Sequence, residues 1–249
     1  GSEDSRWGLL RHFGNKVKKV RPTFVTMENV PGLAHQGVFK SFVRSLERLD
    51  YFVSWQSVDC SKYGVPQTRE RLVLLASQLG PINLLPGRSK LKTVRECISG
   101  LPPIGRGASH AKDKVHRAAN LSDLNLKRIK ASKPGGSWRD WKKSLIAKCH
   151  LKKTGKTYPG VYGRMEWDKP APTLTTQFFG FGNGRFGHPD QDRALSIREG
   201  AMLQTFPKNY RLIAPEDEFE YKKLGRLIGN AVPVKLGMAI GKSIIKHCE

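Results

Sequence analysis

Two short apolar runs, each bordered by charge, constrain this chain more than any other feature. Pro22-Thr23-Phe24-Val25-Thr26-Met27 ends on Glu28-Asn29-Val30, and Leu72-Val73-Leu74-Leu75-Ala76 follows Gln67-Thr68-Arg69-Glu70-Arg71. Apolar runs of this length between polar clusters read as buried strands. Between them Val38, Phe39, Phe42, Val43, Leu46 and Leu49 form one helical stripe, and Tyr51 to Val58 alternates as a further strand. Strand, helix, strand, loop, strand predicts an α/β arrangement: part of a predominantly parallel sheet flanked by helices. Ligands of such sheets bind beyond the carboxyl ends of the strands, which is where Glu28 falls.

The rest of the chain changes character. From Ser5 to Val20, Trp7, Leu9, Leu10, Phe13 and Val17 recur at helical spacing. After Gln78, Pro, Gly and Lys become frequent and long apolar runs stop until about Leu174. Residues 105–170 hold 17 Lys and Arg against 5 Asp and Glu, interleaved with Trp138, Trp141, Tyr158, Tyr162 and Trp167. A disordered basic linker would be poor in aromatics, so a second, loop-rich domain facing a polyanion is expected. Glu199 to Phe206 reads as a short helix, with Ser196 and Glu199 spaced as a capping box. Leu224 to Ile245 reads as helix interrupted by Gly229-Asn230-Ala231-Val232-Pro233, with Pro233 suited to a helix start.

Charge narrows the partner. The 249 residues carry 44 Lys and Arg against 21 Asp and Glu, a formal net charge of +23. An excess of this size favours nucleic acid over a merely solubilising surface. A membrane fits less well: there is no amphipathic anchor, and no apolar stretch nears the roughly 20 residues that span a bilayer. Cys60, Cys97, Cys149 and Cys248 show no CxxC spacing, and His116, His150 and His188 show no ligand spacing, so no metal is expected. Reduced thiols in a cytoplasm are the expectation, and Gly1-Ser2-Glu3-Asp4-Ser5 carries no signal-peptide pattern.

In this order, Glu28-Asn29-Val30 and Tyr63-Gly64-Val65-Pro66-Gln67-Thr68-Arg69-Glu70-Arg71 resemble two motifs of the DNA (cytosine-5) methyltransferases. Arg193 to Glu199, continuing to Leu203-Gln204-Thr205-Phe206-Pro207, looks like a third, and Ile228 to Pro233 like the last. The resemblance covers about residues 22–245. It implies a Rossmann-like S-adenosylmethionine-dependent methyltransferase sheet plus a small loop-rich target recognition domain. The boundaries expected are 1–100 for the C-terminal half of the catalytic domain and 101–190 for target recognition. Residues 191–249 would be the hinge and the C-terminal helix returning to the catalytic domain.

Cytosine carbon 5 is weakly nucleophilic, so the family's chemistry is covalent. A cysteine thiolate adds to carbon 6 and an acid protonates nitrogen 3. The activated ring then takes a methyl group from S-adenosylmethionine. The base must first be flipped out of the duplex. The resemblance makes Glu28 the acid, Arg71 the ligand of the cytosine carbonyl and Arg69 a backbone-phosphate contact, work suited to a permanently charged fork of donors. It gives Asn230, Ala231 and Val232 to the cofactor, and leaves Arg198 and Glu199 a structural role. Pro170 to Thr176, with its Thr hydroxyls, suits phosphate contacts. Arg139, Lys156, Tyr162 and Arg164 are candidates for reading DNA.

The chain departs from the family pattern in two respects: it has no Pro-Cys-Gln tripeptide, and no glycine-rich adenosyl-binding loop with its ribose-gripping acid. None of the four cysteines has the nucleophile's context, and Cys60 reads as structural. Asp4 to Leu10 resembles the helix that follows the family's adenosyl loop. Two readings stand. One is a double-stranded-DNA methyltransferase component in a bacterial or archaeal cytoplasm, nucleoid-associated. It would need a second polypeptide or an N-terminal segment with the nucleophile and would be inactive alone. The other is a non-catalytic DNA-binding module derived from such an enzyme. A transfer-RNA-methylating relative shares much of the pattern.

Overall fold

The structure, a computed structural model, describes residues 8–214 and 216–249, with only the backbone described at Lys156. The start expected at Ser5 for the first helix, with Trp7, lies outside the described residues. In chain order the elements are α1 (Gly8–Val20), β1 (Phe24–Asn29), α2 (Gly37–Glu47), β2 (Phe52–Asp59), β3 (Gln67–Thr68), β4 (Glu70–Ser77) and α3 (Val94–Ile98). Then come β5 (Ser109–His110), β6 (Asp113–Arg117), α4 (Asp123–Lys130), α5 (Lys148–Leu151), β7 (Ala171–Pro172), α6 (Ile197–Leu203), α7 (Tyr221–Asn230) and α8 (Val234–Cys248). The chain divides into two compact units. One comprises the chain through Tyr63, Arg69–Ser89 and Lys235–Glu249; the other comprises Gly64–Thr68 and Lys90–Val234.

The first unit is built on a three-stranded sheet in the order β1-β4-β2. β4 is antiparallel to both neighbours, running Phe24↔Ser77 to Asn29↔Leu72 on one side and Phe52↔Ser77 to Asp59↔Glu70 on the other. This corrects the expectation of predominantly parallel pairing. Between β2 and β4 lie only residues 60–69, which hold a 3-10 turn, Cys60–Tyr63, and the two-residue β3. A parallel crossover needs a dozen residues or more, so β4 must turn back on β2. The connection from β1 to β2 contains α2, so these strands run the same way, and β4 fills the gap between them.

Burial follows from that order. As the central strand, β4 is buried from Leu72 to Ser77. Leu72, Leu74 and Ala76 face a core with Leu10 and Val17 of α1 and Phe39, Phe42 and Leu46 of α2, the i, i+3, i+7 stripe expected of a covering helix. On the opposite face Ser77 Oγ lies 2.9 Å from His247 Nε2, and Ser243 Oγ accepts from the Leu85 amide at 2.9 Å, which fixes α8 there.

The second unit is loop-rich. Its main core gathers Phe178, Phe186, Leu195, Ile197, Leu203, Leu224 and Ile228. The capping box is present: Ser196 Oγ accepts from the Glu199 amide at 3.1 Å and Glu199 Oε2 from the Ser196 amide at 2.7 Å. The helix starts at Ile197, two residues before the expected position, and stops at Leu203, with Thr205 at φ +64° just beyond. α7 lies so close to the segment before it that a Cβ at Gly229 would stand 2.5 Å from the Thr175 carbonyl oxygen, and one at Gly225 2.4 Å from the Phe179 ring.

Candidate active site

The antiparallel register assembles the site. Glu28 pairs with Val73 and Val58 with Arg71. Side chains two apart share a face, so Glu28 meets Arg71 diagonally across the ladder, within reach of a long side chain. The Arg71 Nε to Glu28 Oε1 distance is 2.8 Å, each side chain 13% exposed. One step further, the Cys60 amide donates to the Arg69 carbonyl at 2.8 Å, which places Cys60 opposite Arg69 on the same face. Asp59 holds the turn after β2, accepting from the Ser61 amide at 2.9 Å and from Ser61 Oγ at 2.8 Å.

Electrostatics differ among these groups. Burial raises the Glu28 pKa, and the attraction of Arg71 and Arg69 only partly offsets it. Glu28 thus takes up a proton more readily than a free glutamate. Burial also pushes the Cys60 thiol up to about 11, more than the two arginines can counter, so it is protonated at neutral pH. Burial, with repulsion from Arg71, brings the Arg69 guanidinium down to about 10, still charged at neutral pH. An acid with a raised pKa beside two cations can give a proton to a planar nitrogen heterocycle and receive its carbonyl.

The structure brings Glu28, Arg69 and Arg71 together and adds Cys60, which the sequence reading set aside. The signal for Cys60 was available: once β2 and β4 are antiparallel, the first residue after Asp59 must stand opposite Arg69. Arg69 needs a correction. Its side chain is 1% exposed, so a duplex phosphate cannot reach it, and its charge acts on Glu28 and Cys60 from below.

The other candidates lie in the second unit. Asn230 ends α7 and is exposed, Ala231 is half-buried with its amide donating to the Ile228 carbonyl at 3.2 Å, and Val232 is exposed. Arg164 is a second correction. It is buried, donating to the carbonyls of Ser132 (2.9 Å), Ile129 (3.0 Å from Nη2), His188 (2.9 Å) and Gln191 (2.7 Å), and it pairs with Asp192. Every face of its guanidinium is used to tie loops together. Tyr162 is a third. Its half-buried ring makes edge contacts with Trp141, His150 and Phe181, and the Arg128 guanidinium stands 5.3 Å from its centroid, so it serves the packing of this unit. Arg139 is exposed, its guanidinium 5.6 Å from the centroid of the Trp138 ring. The Lys156 side chain lies outside the described residues.

Arg198 and Glu199 are both held in ion pairs. Arg193 Nη1 and Nη2 each donate to one Glu199 oxygen at 2.7 Å, both residues fully buried, while Arg198 Nε donates to Asp113 Oδ2 at 2.7 Å. Burial alone would raise the Glu199 pKa; hydrogen bonds and charge from Arg193 hold it below the usual range. No His, Cys, Asp or Glu cluster able to hold a metal occurs among the described residues.

Comparison with known proteins bears on the whole chain. The C-5 cytosine-specific DNA methylase family matches residues 1–246. Type II methylase M.HgiDII of Herpetosiphon aurantiacus is 49% identical over 98% of this chain and 71% of its own length. Type II methyltransferase M1.BsuMI of Bacillus subtilis is 32% identical over 94% of this chain and 54% of its own. The fold is shared with a prophage-encoded E. coli protein, at TM-score 0.71 and 21% identity, covering 98% of this chain and 75% of that one.

Proposed function

Because the chain belongs to the C-5 cytosine-specific DNA methylase family, we propose that it supplies the acid and the carbonyl clamp of a DNA cytosine-5 methyltransferase. The observation that carries this reading is the Glu28–Arg71 pair: a partly buried carboxylic acid with a raised pKa, its neighbouring guanidinium 2.8 Å away. In a flipped cytosine, the protonated Glu28 carboxyl donates to nitrogen 3 as a thiolate bonds to carbon 6, so that the added electron density has a proton to meet. Arg71 donates to the carbonyl oxygen. Arg69, beneath them, is a positioning residue that keeps the pocket's potential positive. Cys60, protonated and buried, is unsuited to be the nucleophile.

The thiolate therefore comes from a Pro-Cys-Gln segment outside this sequence, on the same polypeptide or another, together with the adenosyl-binding loop. S-adenosylmethionine, when bound, supplies the methyl group as an electrophilic sulfonium substituent. The exposed Asn230 amide beside the apolar Val232 fits a ligand of that mixed character. The partner is double-stranded DNA, and the charge of +23 supports it. Both quoted relatives are named as Type II enzymes, which favours a role in restriction-modification and a cytoplasmic setting. Residues 101–190 would carry target recognition. The test is transfer of a labelled methyl group to duplex DNA by the chain assembled with a Pro-Cys-Gln-bearing half. Incorporation is expected only in the assembly, and robust incorporation by this polypeptide alone would overturn the division of labour.

A further inference from the structure

Within the second unit, a groove of about 500 Å³ opens between the Thr176–Phe179 segment and the outer face of α7. Its walls carry Lys222, Lys223 and Arg226 on one side and Gln177 on the other, with Asn230 at its end and the Phe179 ring, stacked on Tyr221 at 5.4 Å, in its lining. Glu220 is its one carboxylate, so the groove carries a formal +2. None of the three cations makes an ion pair or hydrogen bond among the described residues, and the side-chain amides of Gln177 and Asn230 make none either.

By contrast, Arg95, Arg106, Arg164, Arg193 and Arg198 elsewhere in this unit are each paired with a carboxylate. On α7 the cations stand at i, i+1 and i+4, where they repel one another, and two occupy the first helical turn, where the macrodipole opposes positive charge. The arrangement costs stability unless an anion completes it. The backbone beneath is rigid, because α7 reaches the 175–179 segment through Gly225 and Gly229 with no space for a Cβ. Convergent cations, amide donors and one aromatic face suit a phosphodiester with its sugar.

We propose that this groove binds backbone phosphates of the DNA strand, with Lys222, Lys223 and Arg226 as the phosphate ligands and Gln177 as a flanking donor. The proposal rests on the reading of the chain as a DNA-modifying protein. Its test is the salt dependence of mixed-sequence duplex binding by the intact chain, followed by fluorescence anisotropy. A triple variant, Lys222→Gln with Lys223→Gln and Arg226→Gln, is compared with a control of equal charge change on α1, Lys16→Gln with Lys18→Gln and Lys19→Gln. Each phosphate contact contributes about 0.9 to the slope of log affinity against log salt. The groove variant is expected to lower that slope by about 2 to 3, and the control by less than 1. The charge-conserving variant, Lys222→Arg with Lys223→Arg and Arg226→Lys, should retain the wild-type slope, which separates charge from folding.

Equal losses in the groove variant and the control would overturn the proposal. So would displacement of the duplex by inorganic phosphate at fixed ionic strength, which would mark a free-phosphate site, or by S-adenosylmethionine, which would mark a cofactor site. Groove-dependent duplex binding by a protein whose full assembly methylates no DNA would instead sink the functional reading and leave the groove standing.

Discussion

Replacing Glu28 by Gln separates catalysis from stability at a single atom position. The wild-type carboxylate lies 2.8 Å from Arg71 Nε, an attraction of about 6 kcal/mol at an effective dielectric constant near 20. Burial nevertheless wins, since the pKa of Glu28 is raised and not lowered. Ionised Glu28 is thus a net cost to the folded state. A raised carboxyl pKa means that the folded chain binds the proton more tightly than the unfolded chain, so stability contributed by Glu28 is present at low pH and lost as pH rises. Glutamine matches the protonated form in shape and uncharged state, but it has no proton to give. Glu28→Gln should therefore leave thermal stability at pH 7 unchanged or increased, with the advantage shrinking towards pH 5. In the assembled enzyme it should slow methyl transfer by about 10² to 10⁴, the range of general-acid catalysis, or roughly 3 to 5.5 kcal/mol, while duplex binding holds. Labelled-methyl incorporation and melting curves across that pH range read both quantities. A rate within tenfold of wild type would refute the catalytic role. A stability loss at pH 7 that vanishes at pH 5 would refute the electrostatic reasoning.

Other outcomes follow from the same forces. Burial lowers the His188 pKa to about 4, with Glu199 opposing; the unfolded chain then binds more protons between about pH 4 and 6.5, so stability falls as pH drops through that window, by at most about 3 kcal/mol. His188→Gln should flatten that slope in urea titrations at pH 5 and 7, and an unchanged slope would assign the acid sensitivity elsewhere. Glu199→Gln breaks a fully buried bidentate pair with Arg193 and should cost about 3–5 kcal/mol of unfolding free energy; a loss below 1 kcal/mol would contradict the pairing. Cys60, buried and protonated, should resist a thiol reagent at pH 8 in the folded chain, while the exposed Cys149 and Cys248 react quickly. Fast labelling of Cys60 would contradict its place beneath the clamp.

Much of this was legible in the sequence because period and spacing report local structure. The stripe of α2, the strand carrying Glu28 and the Ser196–Glu199 box formed where apolar spacing and cap chemistry put them, while on α1, among the described residues, only Leu10 and Val17 of the expected stripe are buried. Strand direction is not legible in the apolar runs, which look alike in either direction; the ten-residue connection after Asp59 is what dictates it. Arginine was the harder residue. In a basic, loop-rich segment nothing local distinguishes Arg164, saturated by loop carbonyls, from Arg139 at the surface, since the partners of Arg164 lie 24 to 35 positions away. Arg69 sits in a motif that names its chemistry, yet only the folded chain shows it buried. The cationic face of α7 was also invisible as a unit, because Gln177 and Phe179 join it across some forty residues.

The central claim is that this chain provides the acid-and-clamp part of a cytosine-5 methyltransferase whose thiolate lies elsewhere. Bisulfite sequencing of duplex DNA treated with the chain, its Pro-Cys-Gln-bearing counterpart, or both, with S-adenosylmethionine present, tests it most directly. Protected cytosines at a recurring sequence are expected only with both parts, and none when Glu28→Gln is used. Protection by this chain alone, or undiminished protection with Glu28→Gln, would contradict it.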